Sequence, residues 1–290
     1  MNDIVMSVRG LCNRFGAQLV HENLDLDIIK GEVLGIIGGS GAGKSVLMRS
    51  ILGLQPYQAG RIDWFGQEIA KLGDAQRHAV ERRVGVMFQD GALFSSLTVL
   101  ENVMVPLKEH SELDEHFIAE IARLKIALVG LPADAADKFP ETLSGGMRKR
   151  AGLARALALD PEILFFDEPT SGLDPIGAAA FDELVATLHQ ALHLTVILIT
   201  HDLDSVYRIC ERVAVLADRH VIVVDTPKVV QNFDHPWIHA CFQGPRGRMA
   251  YTQSQTRNEA QGKPTAGSAS NELGSTALTA TGATAAHPRI

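Results

Sequence analysis

The segment GGSGAGKS, residues Gly38–Ser45, decides the fold of this chain. It follows the apolar run Val33–Ile37, which is typical of a buried parallel strand, and it precedes apolar residues at helical spacing. A glycine-rich loop between a strand and a helix directs backbone N–H groups at a phosphate, and a Cβ there would block the approach. We assign this phosphate-binding role to Gly38, Gly39, Ser40, Gly41, Ala42, Gly43, Lys44, Ser45 and Val46.

Two side chains of the loop have specific expected roles. Lys44 is expected to bridge the β- and γ-phosphates of a nucleotide, and the Ser45 hydroxyl is expected to bind Mg²⁺. The alternative is an ordinary glycine turn before a helix. The loop alone does not separate kinases, GTPases and ATPases.

A second segment, ILFFDE at Ile163–Glu168, is an apolar strand that ends in two carboxylates. A strand end beside the phosphate loop is where a carboxylate can hold Mg²⁺, so Asp167 is the predicted metal ligand. Glu168 is the predicted general base that activates water. The alternative is a solvated acidic turn.

Gln89 and His201 follow two further predicted strands, Val84–Phe88 and Thr195–Thr200. The Gln89 amide can contact Mg²⁺ or the attacking water, and His201 can contact the γ-phosphate. Position alone distinguishes them, because most glutamines and histidines at such places are surface or core residues. We assign both to the catalytic set, and Gln89 also to the metal site.

Composition excludes several classes of protein. The net charge of −7 gives no basic face of the kind that nucleic-acid binders show. Three scattered cysteines without a CxxC pair make a zinc site or a disulfide framework unexpected. No apolar run approaches the roughly 18 residues of a membrane span. The first ten residues lack the features of a signal peptide. We expect a soluble protein whose membrane role, if any, comes through a partner.

Strands alternate with helices on both sides of a mainly helical insert, which predicts an α/β fold with a mostly parallel sheet and helices on both faces. An antiparallel hairpin is expected around Ala217–His220, and Asp174 with Pro175 should begin a helix. The predicted core comprises residues 1–89 and 160–244, and the helical subdomain comprises about 90–159. Residues 245–290, rich in Ser, Thr, Ala and Gly toward the end, are expected to be largely disordered alone.

The order of these motifs resembles that of ABC ATPases, whose core is a P-loop (RecA-like) domain. The segment LSGGM at Leu143–Met147 corresponds to the signature of that family, and Ser171–Asp174 to its D-loop. The resemblance implies that Ser144, Gly145 and Gly146 bind the γ-phosphate of ATP held by a second copy. It also implies a homodimer around two ATP, with Phe15 stacked on adenine. Asp174 would help to join the two sites. The charges of residues 148–150 fit a solvated helix face.

Within that family, Met87–His110 and the methionine of LSGGM resemble the ATPases of Mla and Mce-type phospholipid transporters. The resemblance implies an integral-membrane permease as partner, an Mce-domain lipid-binding protein, in some systems a STAS-domain protein, and a peripheral place on the cytoplasmic face of the inner membrane. Leu93 and Phe94 either belong to the core of the helical subdomain or line a groove for a permease helix.

Two other readings remain open. The first is an ABC ATPase that drives import of a small solute. The second is a non-transport ABC ATPase, although the second cassette, coiled coil or zinc modules of such proteins do not occur here. A regulatory protein without hydrolysis is disfavoured because Glu168 and His201 are both present.

Overall fold

The computed structural model describes residues 3–260 of the chain. Within them the strands are β1 (Ile4–Phe15), β2 (Gln18–Ile29), β3 (Val33–Gly38), β4 (Ala59–Trp64), β5 (Gln67–Glu68), β6 (Val84–Met87), β7 (Ile163–Asp167), β8 (Thr195–Ile199), β9 (Arg212–Ala217) and β10 (His220–Asp225). The α-helices are α1 (Lys44–Ile51), α2 (Asp74–Glu81), α3 (Val99–His110), α4 (Glu115–Leu128), α5 (Gly145–Ala156), α6 (Pro175–Leu192), α7 (Leu203–Ile209), α8 (Pro227–Val230), α9 (Pro236–Phe242) and α10 (Pro245–Ala260).

The central sheet has the strand order β10-β9-β3-β8-β7-β6. Its strands are parallel except β10, which pairs antiparallel with β9. Alternate residues of β7 face opposite layers: Phe165 lies in a cluster with Leu47 of α1, and Phe166 packs edge to face on Phe181 of α6. The sheet is therefore covered on both faces, and the α/β fold predicted from the sequence is confirmed.

A second, antiparallel sheet has the order β2-β1-β4-β5 and packs with α1 against one face of the central sheet. Strands β1 and β2 are 12 residues each. The register shifts between Val8 and Leu11, where Gly10 is left-handed at φ +58°. Such a bulge interrupts the alternation of apolar and polar residues by which a strand is recognised.

Helices α3, α4 and α5 lie in the segment assigned to the helical subdomain and pack against one another. Thr98 begins α3 with a capping box, because its hydroxyl accepts from Glu101 N and its own N–H donates to the Glu101 carboxylate. Helix α4 buries Ile118, Ala122 and Ile126. The large side chains Phe117, Leu124 and Leu128 of the same helix are exposed.

The chain continues past the predicted core in helix α10. Tyr251 of α10 stacks edge to face on Tyr207 of α7 with ring centroids 5.8 Å apart, and Ala250 and Ser254 are buried. The expectation of disorder for 245–290 is therefore corrected for 245–260, because α10 has a packed face. Residues 261–290 lie outside the described residues, and there the expectation stays a prediction.

The hairpin predicted at Ala217–His220 joins β9 to β10, with Asp218 and Arg219 in the left-handed region. Within residues 3–260, none of the helices combines the length and the apolar character that crossing a membrane requires.

Candidate nucleotide-binding site

The loop Gly38–Ser45 joins β3 to α1 and is held tightly from several sides. A Cβ on Gly38 would lie 2.3 Å from the Leu216 carbonyl oxygen, and one on Gly43 would lie 2.5 Å from His21 Nε2. Gly43 is also left-handed, at φ +97°. Glycine is thus required at these positions for packing and for backbone conformation.

Lys44 curls back over this loop. Its Nζ donates to the carbonyl oxygens of Gly38 at 2.8 Å and Gly39 at 3.1 Å. Burial lowers the pKa of Lys44, and the carboxylates of Glu168 and Asp167 oppose that shift. The ammonium group is therefore placed at the loop, where an incoming phosphate would give it a stronger, charged acceptor.

Asp167 and Ser45 form the candidate metal site. Asp167 ends β7, is only 6% exposed, and accepts from the Ser45 hydroxyl at 3.4 Å. Burial raises the pKa of Asp167, and the neighbouring Glu168 charge raises it further. A hydroxyl and a buried carboxylate in contact are hard oxygen donors, which fit Mg²⁺. A bound cation would offset the desolvation of the carboxylate.

Glu168 and His201 lie together at the ends of neighbouring strands. His201 Nδ1 is 2.8 Å from Glu168 Oε2. Glu168 has φ +49°, a costly conformation for a residue with a side chain. Its backbone is fixed because its N–H donates to Ile199 O and its carbonyl accepts from the Ser171 hydroxyl at 2.8 Å. The carboxylate is therefore aimed by the backbone and restrained by the imidazole.

The remaining predicted residues of this site lie around the same sheet edge. Gln89 is exposed just after β6, the strand beside β7. Phe15 is 42% exposed at the tip of the β1–β2 hairpin, whose Val20 contacts Gly43. Trp237, at the start of α9, closes another side, since a Cβ on Gly39 would lie 3.2 Å from its Nε1.

The signature residues lie on the helical subdomain. Ser144 begins α5 and its hydroxyl accepts from Met147 N at 3.2 Å, while Gly145 and Gly146 are the first residues of the helix. A Cβ on Gly145 would lie 3.7 Å from Leu173 of the D-loop. Asp174 begins α6 as predicted, because its carboxylate accepts from the N–H groups of Ile176 and Gly177, which lower its pKa.

The charged residues after the signature are not a solvated face, so that interpretation was wrong. Lys149 is 3% exposed, and its Nζ lies 3.4 Å from both the Glu168 carbonyl oxygen and Ser171 Oγ. Arg148 donates to Leu143 O and Arg150 to Val129 O. Helix α5 is thus attached directly to the turn that carries the candidate base.

A buried polar pair beneath the loop was also missed from the sequence. His21 is fully buried, and its Nδ1 lies 2.8 Å from Asn13 Oδ1. Asn13 in turn donates to Ser50 Oγ of α1 at 3.0 Å. Burial lowers the pKa of His21 to about 4, so the ring is neutral at physiological pH. Bulges interrupt the alternation of apolar and polar residues along β1, so the sequence pattern did not indicate that this pair would be buried.

Glu168 and His201 open into a cavity of about 870 Å³. Its other walls come from the D-loop, including Ser171 and Gly172, and from the C-terminal helices, including Cys241 and Met249. The candidate base is therefore accessible from an opening beside the D-loop.

The phosphate loop follows β3, and the buried acid and the restrained carboxylate follow β7, two strands away at the same edge of the sheet. This arrangement defines a P-loop nucleotide hydrolase. The sequence profile described as ABC transporter matches residues 21–171, which contain the loop, the signature and the acidic strand end. The chain belongs to the ABC transporter family and is an ATPase.

The chain is 39% identical to the intermembrane phospholipid transport system ATP-binding protein MlaF of Haemophilus influenzae, over 78% of this chain and 85% of that protein. It is 46% identical to the methionine import ATP-binding protein MetN of Caulobacter vibrioides, over 73% of this chain and 63% of that protein. A dimeric ATP-binding cassette solved in a post-hydrolysis state with ADP and phosphate superposes with a TM-score of 0.69 at 28% identity, covering 76% of this chain and 98% of that one.

Proposed function

We propose that this protein is the motor subunit of an ABC transporter that moves phospholipid between membranes. We infer the phospholipid substrate from the match in length and sequence to MlaF. The chain aligns with 85% of the Haemophilus protein and with 85% of the Escherichia coli one. The resemblance of Met87–His110 to lipid-transport ATPases supports the same conclusion.

In this proposal two copies of the chain close around two ATP molecules. The loop Gly38–Ser45 and Val46 of one copy bind the phosphates, and Phe15 stacks on the adenine. The signature residues Ser144–Gly146 of the other copy complete the γ-phosphate site. Helix α5 supports this, because its N-terminus is exposed and free backbone N–H groups there favour an anion.

Hydrolysis depends on the residues at the strand ends. Mg²⁺, held by Ser45, Asp167 and Gln89, would neutralise charge on the phosphates. Glu168 takes a proton from the attacking water, and His201 keeps the carboxylate in place. Asp174 and the D-loop link the two sites. ATP closes the dimer and hydrolysis reopens it.

The motion is passed to an integral-membrane permease on the cytoplasmic face of the inner membrane, where this subunit is peripheral. An Mce-domain protein and a STAS-domain protein are the further expected partners, and nucleic acid is not. The second candidate is import of a small solute, favoured by the 46% identity to MetN. That relative extends well beyond the aligned region, since the chain covers only 63% of it.

The test is purification of the tagged protein from detergent-solubilised membranes with its permease, followed by reconstitution in vesicles. We expect ATP-dependent movement of a labelled phospholipid between vesicles and no uptake of labelled methionine. The Glu168→Gln variant is the control for motor dependence. Methionine uptake without phospholipid movement would establish the importer reading instead.

A further inference from the structure

The short segment 91–94 after Gln89 is attached to helix α5 by one side chain. Arg155 Nη2 donates to the Gly91 carbonyl oxygen at 2.9 Å, and Nη1 donates to the Ala92 carbonyl oxygen at 2.8 Å. A guanidinium holds two such acceptors in a fixed geometry that a lysine cannot reproduce. Arg155 lies 11 residues along α5 from Ser144, or about 16 Å.

The backbone of this segment needs such support. Gly91 and Ala92 are both left-handed, at φ +78° and φ +46°, and Ala92 adopts this conformation at a cost. Gly91 also packs directly on α5, because a Cβ on Gly152 would lie 2.8 Å from Gly91 Cα. Backbone contact and guanidinium bonds therefore fix the segment to the same helix.

The other end of the segment is held by α3. The buried Asn102 accepts from Phe94 N at 2.8 Å and donates to Phe94 O at 3.0 Å. Both ends are thus attached to the helical subdomain, although Gln89 lies only two residues after strand β6 of the core. The chain therefore passes from the core sheet to the helical subdomain between Phe88 and Gly91.

The outer side of the segment is exposed. The Phe94 ring is 53% exposed, and the Arg155 guanidinium carbon lies 5.9 Å from its centroid. Arg155 therefore contacts both the carbonyl oxygens of the left-handed residues Gly91 and Ala92 and the exposed ring of Phe94.

We propose that Arg155 is a positioning residue that makes segment 91–94 move with the signature helix. This rests on the proposed function, in which Ser144 at the start of α5 contacts ATP on the second copy. A displacement of α5 on ATP binding is then passed to the surface around Phe94 without any contact between Arg155 and the nucleotide.

The test is hydrogen exchange of the full chain carrying Glu168→Gln, with and without Mg·ATP. Arg155→Lys keeps the charge and loses the paired contact to the two carbonyls. Arg150→Lys is the matched control, because Arg150 donates from the same helix to Val129 O and does not bond segment 91–94. Without nucleotide, Arg155→Lys should speed exchange at the Gly91 and Phe94 amides about tenfold, and the control should not.

In the parent and in the control, Mg·ATP should slow hydrogen exchange both at residues 144–150 and at residues 89–94. Arg155→Lys should slow it only at 144–150. Slowing at both segments in Arg155→Lys would overturn the proposal and leave the proposed function intact. No slowing at 144–150 in the parent would count against the shared ATP site and the coupling together.

A folding defect is separated from loss of coupling by a thermal melt of each variant. If Arg155→Lys does not fold, Arg155→Gln, which is shorter, uncharged and likewise lacks the paired guanidinium contact, replaces it in the same comparison. Retained slowing at 89–94 in that variant would likewise overturn the proposal.

Discussion

His201 Nδ1 lies 2.8 Å from Glu168 Oε2, and this contact joins the ends of two adjacent parallel strands. The strands place the two residues side by side, since Asp167 is in register with Ile199. The imidazole therefore restrains a carboxylate whose backbone is already left-handed. Both residues are expected to act on the same water and phosphate.

Glu168→Gln should preserve ATP binding and reduce turnover about 10²- to 10⁴-fold, because the amide cannot accept the proton while Asp167 and Ser45 are unchanged. The dimer should then persist with ATP bound. Turnover and mass by size-exclusion chromatography with Mg·ATP check this, with exposed Glu141→Gln as control. Near-normal turnover would refute the role of Glu168.

Lys44→Ala should weaken ATP binding about tenfold or more, because it removes a charge-assisted contact worth about 1.5–3 kcal/mol. Titration calorimetry measures the affinity directly. Lys71→Ala, which removes an exposed lysine paired with Glu68, should bind ATP as the parent does. An unchanged affinity in Lys44→Ala would exclude the phosphate role of the loop.

Ser144→Arg should leave ATP binding to the subunit's own loop intact and abolish hydrolysis, because the cation would block the γ-phosphate of the opposite copy. Mixing it with Lys44→Ala creates a heterodimer with one site built from two intact halves. Partial recovery of ATPase activity on mixing is the expected result. A crosslinked heterodimer with no activity would mean that the sites are separate or must act together.

His21 should make the protein less stable in acid. Its pKa is about 4 in the folded protein against about 6.5 in the unfolded chain, so the unfolded state binds the additional proton as pH falls. The free energy of unfolding should fall by about 2 kcal/mol between pH 7 and pH 5 from this group. Denaturant titrations should show a smaller fall in His21→Gln. Exposed His220→Gln is the control, and equal falls in both variants would exclude the effect.

Phe94→Ala should change thermal stability little, because the side chain is exposed, and should reduce copurification of the permease. This favours the docking interpretation of Phe94, while Leu93 packs partly against the helical core. Phe117→Ala removes an equally exposed ring from α4 and should copurify normally. Unaltered copurification of the permease with Phe94→Ala would show that the Phe94 ring is not part of the docking surface.

The nucleotide loop and the acidic strand end could be predicted because each combines a motif with a buried strand. Parallel strands end at one edge of a sheet, so Gln89, Asp167 and His201 were expected near Gly38–Ser45. Those features are local in sequence and follow from strand geometry. Their assignment to chemical roles stays a prediction.

Lys149 and Arg155 could not be identified in the same way. Their acceptors include the backbone carbonyls of Glu168, Gly91 and Ala92, which leave no mark in the sequence. From sequence alone, a run of basic residues in a helix is interpreted as a solvated face, because the sequence does not show which backbone carbonyls lie within reach of the side chains. Helix α10 was missed because, apart from Tyr251, it packs through the small residues Ala250 and Ser254. Small residues give no apolar stripe.

The contact of Trp237 with Gly39 gives the protein a built-in optical reporter. The chain has two tryptophans. Trp64 is buried, with its indole N–H bonded to the Ile51 carbonyl, whereas Trp237 lies partly exposed beside the phosphate loop. Intrinsic fluorescence in Trp64→Phe should therefore follow occupation of the loop by nucleotide without any attached dye.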